Sequence, residues 1–70
     1  MKESSLRGLR EERGLSREEI AVRAKVSVSY VTMLELGQRE PSLRVLRRLA
    51  DVYGLSLSEM DALLPRAEAS

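Results

Sequence analysis

The side chains of this sequence best able to do chemistry are guanidinium groups. Ten of its twelve basic residues are Arg, whose planar fork matches phosphate and carboxylate in a way that Lys does not. A GC-rich coding sequence also raises Arg content, so position matters more than number. Arg17 falls where one helical segment begins, Arg44 where another begins, and Arg39 in the loop before the latter. From such places arginines can hold backbone phosphates, which sets register and supplies most of the affinity for a nucleic acid. The chain has no Cys and no His. Disulfides, thiolate nucleophiles and imidazole bases are therefore excluded, and a metal site would need carboxylates alone. Glu11, Glu12, Glu18 and Glu19 read as solvated helix faces with no second catalytic group beside them. The expectation is a non-enzyme with no cofactor and no metal.

The elements that position these groups are short helices. Ser4 or Ser5 can cap a first helix running to about Arg13, with Leu6, Leu9 and the stem of Arg10 inward, and Gly14 stops it in the left-handed conformation. Ser16-x-x-Glu19 is a capping box, and Leu15 with Ile20 forms a hydrophobic staple, so a second helix runs from about Arg17 to Ala24. Lys25 and Val26 make a turn. Ser27 caps a third helix, stapled by Val26 and Val31, with Val31 and Leu34 inward and Gly37 as its end. The run VSVSYV alternates like a strand, but the cap, the staple and the terminal Gly favour helix. Ser42 caps a fourth helix whose apolar stripe is Leu43, Leu46, Leu49, Ala50 and Tyr53, with Pro41 and Leu46 as its staple. Arg47 and Arg48 lie near its end, where cations suit the dipole. Gly54 stops it. Ser56-x-x-Glu59 opens a fifth helix, stapled by Leu55 and Met60, that ends near Leu64 before Pro65. The fold class expected is all-α: one compact five-helix domain over residues 1–64, with residues 65–70 as a short flexible tail.

Seventy residues suit one domain. A chain this short buries only about 60% of its unfolded surface, and no separate sensing domain is expected within it. No apolar run approaches the roughly 18 residues of a membrane span, and the N-terminus lacks the apolar core of a signal peptide, so a cytoplasmic location is expected. The net charge is only +1, but it is uneven: the chain through Gly54 has a surplus of bases and the remainder a surplus of acids.

Two short helices joined by a tight turn form a helix-turn-helix, whose second helix enters the DNA major groove N-terminus first. With Val31 and Leu34 inward, Val28, Ser29, Thr32 and Met33 lie outward as base-contacting candidates. Arg17, Ser27, Tyr30, Arg39 and Arg44 are the phosphate-contacting candidates, and the start of the third helix is also the positive end of its dipole.

The segments LRGLREERGLS, EEIAVRAKVS, SYVTMLELGQREPSL and LRRLADVYGLSLSEM together resemble the lambda repressor–Cro family of helix-turn-helix domains, the XRE type, from Leu6 to Met60. The resemblance implies a five-helix lambda-repressor-like domain, with the helix-turn-helix at helices 2 and 3, that binds double-stranded DNA as a homodimer. Its operator would be near-palindromic, with half-sites about 34 Å apart. It implies a structural ion pair between Arg10 and Glu35. The chain departs from the family in having Arg17 in place of a common Gln, and Val28-Ser29 where Gln, Arg or Asn is usual. Bidentate reading of guanine or adenine needs those longer side chains. Val28 and Met33 can touch only a thymine methyl, while Ser29 and Thr32 can hydrogen-bond either way, so direct readout is expected to be modest and supplemented by DNA shape.

A dimer surface would draw on Val52, Leu55, Leu57, Leu63 and Leu64, of which some must fill the core, Leu57 and Met60 first. The leading expectation is a small stand-alone transcriptional regulator, either a repressor or a controller. The alternative is a protein-interaction adaptor or antitoxin-like partner that uses Val28, Tyr30, Met33 and Leu36 as an apolar patch.

Overall fold

Every helix begins on a serine. The hydroxyls of Ser5, Ser16, Ser27, Ser42 and Ser56 accept the backbone N–H of Gly8, Glu19, Tyr30, Val45 and Glu59, three residues on. Each such cap is worth about 1 kcal/mol. A computed structural model describes residues 5–65. It contains α1 (Leu6–Glu12), α2 (Arg17–Ala24), α3 (Val28–Glu35), α4 (Leu43–Tyr53) and α5 (Leu57–Leu63), with no strand among the described residues. The all-α expectation holds, and VSVSYV is helical. Ser4, the other cap considered for α1, and the tail from Arg66 lie outside the described residues.

Both capping boxes close. Ser16 N–H donates to Glu19 Oε1 at 2.7 Å and Ser56 N–H to Glu59 Oε1 at 2.8 Å. The bond from Ser16 holds the Glu19 carboxyl below the usual carboxylate range.

Four of the five helices also end alike, α5 instead passing into extended backbone at Leu64. Leu15, Val26, Gln38 and Leu55 N–H groups reach back to Arg10, Ala21, Met33 and Ala50 carbonyls. This is the six-to-one bond of a Schellman stop, and each stop has one left-handed residue: Gly14, Lys25, Gly37 and Gly54. Three of the four are the glycines expected from sequence. The fourth, at the turn between α2 and α3, is Lys25 at φ 60°. That conformation crowds Cβ against the backbone in any L-residue, and the turn imposes it.

α2 packs on α3 and α4, and α5 packs on α4. The core is Leu6, Ile20, Ala21, Ala24, Val31, Leu34, Leu49, Ala50, Tyr53 and Met60. The staple residues Leu15, Val26, Leu46 and Leu55 pack against it. Two apolar expectations fail. Leu43 is 57% exposed, and Leu57 is exposed where Met60 is fully buried. Each is the first residue of its helix. At 100° per residue Leu43 also lies on the flank of the stripe that Leu49, Ala50 and Tyr53 bury. Val45 and Val52 on the opposite flank pack against the core.

Arg48 departs from expectation as well. No base lies in the last turn of α4. Arg48 Nη1 instead donates to the Ala24 carbonyl at 3.4 Å, at the C-terminal end of α2.

Tyr53 sits in the core with its hydroxyl buried, and among the described residues that hydroxyl has no hydrogen-bond partner. Burial first, and then the Glu35 charge, pushes its pKa up to about 12, against the opposing pull of Arg10 and Arg13. The unfolded phenol ionises near pH 10. The folded state thus keeps its proton longer. The stability Tyr53 contributes is complete below pH 10 and is lost as pH rises from about 10 towards 12. Thermal unfolding across this range will show a falling midpoint that Tyr53→Phe reduces. At neutral pH Tyr53→Phe will hold or raise the midpoint, because it removes a buried donor. A clear loss of stability at pH 7 would show that the hydroxyl is well satisfied.

Candidate nucleic-acid interface

The turn at Lys25 sets α3 across α2 and leaves one face of α3 outside the core. Val31 and Leu34 are buried, and Glu35 turns inward. Val28 and Ser29 are exposed, while Thr32 and Met33 are partly exposed. All four base-contacting candidates thus lie on one outward surface. Leu36, the C-cap, continues that surface at 58% exposure.

Four of the phosphate candidates lie on α3 or touch it. Ser27 caps α3 by accepting the Tyr30 N–H at 3.0 Å, a role that still leaves its hydroxyl proton to donate. Tyr30 packs partly against the core, and Arg39 places its guanidinium carbon 5.9 Å from the ring centroid. This cation–π contact reaches from the α3–α4 loop back to α3. Arg17, the first residue of α2, meets Glu35 of α3. Arg44 is exposed in the first turn of α4, one residue after Leu43. A cation at a helix N-terminus opposes the macrodipole, by about 0.3–1 kcal/mol, so both first turns carry a base where folding alone favours an acid.

Arg17 is tied to the interior. Its Nε donates to Glu35 Oε1 at 3.2 Å. Arg10 holds the same carboxylate bidentately, Nε to Oε2 at 2.6 Å and Nη2 to Oε1 at 3.2 Å, and gives Nη1 to the Leu15 carbonyl at 3.0 Å. The Arg10–Glu35 pair that the family resemblance implies is therefore present, with a third member. The Glu35 side chain is 1% exposed and that of Arg17 35%. The bond to Glu35 holds the Arg10 guanidinium above its ordinary range, against the opposing effect of burial. Two cations share one anion, so the cluster has a net positive charge, and Arg17 is its most exposed member. Its Nε is committed to Glu35.

Arg13, at the end of α1, holds two elements together. Arg13 Nη2 donates to the Tyr53 carbonyl at 3.1 Å, and its guanidinium lies 5.7 Å from the Tyr53 ring centroid. It binds the end of α1 to the end of α4. Forty positions separate the two residues, and no local pattern announces such a contact. Arg7, by contrast, pairs only with Glu11 at 3.0 Å on an exposed helix face, an arrangement worth little.

Of the candidate dimer residues, Val52, Leu55 and Leu64 are partly buried and pack against the core. Leu63 is partly buried and Leu57 exposed. Pro65 is seated over the end of α3, where a Cβ on Gly37 would lie 3.3 Å from the Pro65 Cβ. Together with Arg39, Glu40, Pro41, Leu46, Asp61 and Leu64 it lines a cavity of about 50 Å³, room for a water molecule rather than a ligand. Among the described residues no group of His, Cys, Asp or Glu could hold a metal ion, and no helix is long and apolar enough to cross a membrane.

The profile of the helix-turn-helix domain family matches residues 4–63. The chain is 46% identical over 55 residues to the HTH-type transcriptional regulator DdrOP3 of Deinococcus deserti, covering 79% of this chain and 43% of that protein. It is 39% identical over 57 residues to the HTH-type transcriptional regulator y4dJ of Sinorhizobium fredii, covering 81% of this chain and 74% of that one. It is 37% identical over 43 residues to YqaF of Bacillus subtilis, also an HTH-type transcriptional regulator, covering 61% and 57%. The chain thus spans less than half the length of the Deinococcus relative. With serine-capped α2 and α3 joined through the left-handed turn at Lys25, and the family profile matched over nearly its whole length, the chain belongs to the helix-turn-helix domain family.

Proposed function

We propose that this chain is a DNA-binding transcriptional regulator of the lambda repressor–Cro type that acts as a homodimer on a near-palindromic operator. The observation that carries the reading is the outward face of α3, uncharged, with Arg17 and Arg39 each in contact with α3 and Arg44 exposed at the start of α4. Such a face can enter a major groove while the arginines meet the phosphate strands. The relatives named as HTH-type transcriptional regulators support the same reading. Occupancy of the operator, by blocking or contacting polymerase, would be the mechanism, and the cytoplasm the compartment it requires. Residues 1–64 form the domain in this proposal, and exposed Leu57 with partly buried Leu63 supplies part of the dimer surface.

In vitro selection from random duplex DNA, with stoichiometry read by analytical ultracentrifugation, tests it. A near-palindrome bound by two chains is the expected result. Exposed Val28 and Leu36 favour a second reading, a protein-interaction adaptor or antitoxin-like partner. Absence of salt-sensitive binding to any duplex would replace the first reading with that one.

A further inference from the structure

We propose that α3 selects its DNA by the 5-methyl groups of pyrimidines in the major groove, so that the favoured ligand is a thymine-bearing duplex read by apolar contact. The proposal rests on the DNA-binding reading above and names the chemistry by which it would discriminate sequences.

The outward face of α3 is almost without polar reach. At 100° per residue, Val28, Thr32 and Leu36 follow one another at intervals of four along one line, with Ser29 and Met33 beside them. Val28 and Leu36 are exposed, and Met33 is partly exposed. Thr32 is the residue whose role the sequence leaves open, and the structure closes it. Its hydroxyl donates to the Val28 carbonyl at 3.2 Å, so its donor is spent on the helix and its γ-methyl is the group left to present. Ser29 is the remaining polar side chain on the face. α3 has no Arg, Lys, Asn or Gln, and its one charged residue, Glu35, is turned inward to Arg10. The forked donors that read guanine and adenine are therefore missing. The feature of the major groove that Val, Met and the Thr methyl can recognise is the C5 methyl of thymine, a group 5-methylcytosine carries at the same position.

Charge complementarity identifies the occupant. The apolar line is flanked by Arg39, whose guanidinium lies over Tyr30 of α3, and by Arg17 of α2, bonded to Glu35 of α3; Arg44 is exposed in the first turn of α4. A strip without charge between cations matches a methyl-lined groove between two phosphate strands. A hydrophobic protein surface offers nothing to those cations.

Removing a methyl while keeping the base pair isolates the effect. The duplex enriched by selection is resynthesised with deoxyuridine in place of thymidine, one position at a time, and binding is followed by fluorescence anisotropy at two salt concentrations. At one or more positions in each half-site, affinity is expected to fall about fourfold per methyl lost, with the salt dependence unchanged. Val28→Ala and Met33→Ala, at exposed or partly exposed sites where the fold is checked by circular dichroism, should bring the thymidine-to-deoxyuridine ratio towards one. Equal binding of both duplexes with steep salt dependence would overturn the methyl proposal and leave the DNA-binding reading standing, as would a selected half-site without thymine opposite α3. No salt-sensitive binding to any duplex would overturn both.

Discussion

Glu35→Ala will destabilise the domain by about 3–5 kcal/mol, the effect expected when one partner of a buried ion pair is removed and the other is stranded. Arg10 is the stranded partner. It is buried, and two of its three guanidinium nitrogens lean on the Glu35 carboxylate. At roughly 0.05–0.15 kcal/mol per residue, a 70-residue chain holds only about 4–10 kcal/mol in all, so this variant will lose about a third or more of the whole. Arg10→Met will also lower stability, by less, because Arg17 still meets Glu35 at 3.2 Å. Arg17→Ala will cost at most about 1 kcal/mol, since that pair is partly exposed and screened. Arg10→Met combined with Glu35→Met should recover much of the loss, as apolar replacement of a buried pair often does. Urea denaturation of the four variants checks the set. A Glu35→Ala midpoint equal to that of the parent would mean that the cluster contributes nothing to the fold.

The second large effect lies at the surface. Replacing Arg39 and Arg44 together with Ala will weaken binding to every duplex, by about 1.5–3 kcal/mol for each charged hydrogen bond lost. It will also make the slope of log K against log salt shallower by about 0.9 per phosphate contact. The folded state should change little, because both side chains are exposed and the lost Arg39–Tyr30 contact is offset by relief of the α4 dipole, each about 1 kcal/mol or less. The sequence preference should persist, because phosphate contacts carry no base information. Arg39 has one further consequence. Its stacking on Tyr30 predicts that Tyr30→Ala reproduces part of the Arg39 effect, by freeing the guanidinium from its place beside α3. A salt slope unchanged in the double variant would remove both arginines from the phosphate set.

In the proposed DNA-binding reading, Arg17 serves folding and binding at once. Its Nε holds Glu35 while its side chain stays 35% exposed. A Gln, common in the family at that place, could donate to a phosphate but would bring no charge to Glu35. Substitution there will therefore move stability and affinity together, unlike substitution at Arg44.

Local chemistry made most of the helices legible. A serine cap, the residue three ahead of it and the staple around it all lie within five positions, and so do the glycine stops. The bounds of α2 follow from Ser16, Glu19, Leu15 and Ile20 alone. The inward positions Val31 and Leu34 and the outward set Val28, Ser29, Thr32 and Met33 follow from the helical period once Ser27 is taken as the cap.

Where local order and tertiary packing part, the sequence was silent. Lys25 adopts a left-handed conformation because the crossing of α2 and α3 requires it, and nothing about a lysine says so. Leu43 and Leu57 look like core residues by type and spacing, yet each opens its helix and is exposed. Arg13 on Tyr53, Arg48 on Ala24 and Arg17 on Glu35 join residues 40, 24 and 18 positions apart. The sequence by itself determined the helices, most of their ends and most of the positions each turns inward, because hydrogen bonds and side-chain periods act within a turn or two of the chain. Only the tertiary structure decided which arginines hold the fold together and which remain for a phosphate, because a guanidinium on a flexible stem takes whichever carboxylate, carbonyl or ring the packing of distant helices brings within its reach.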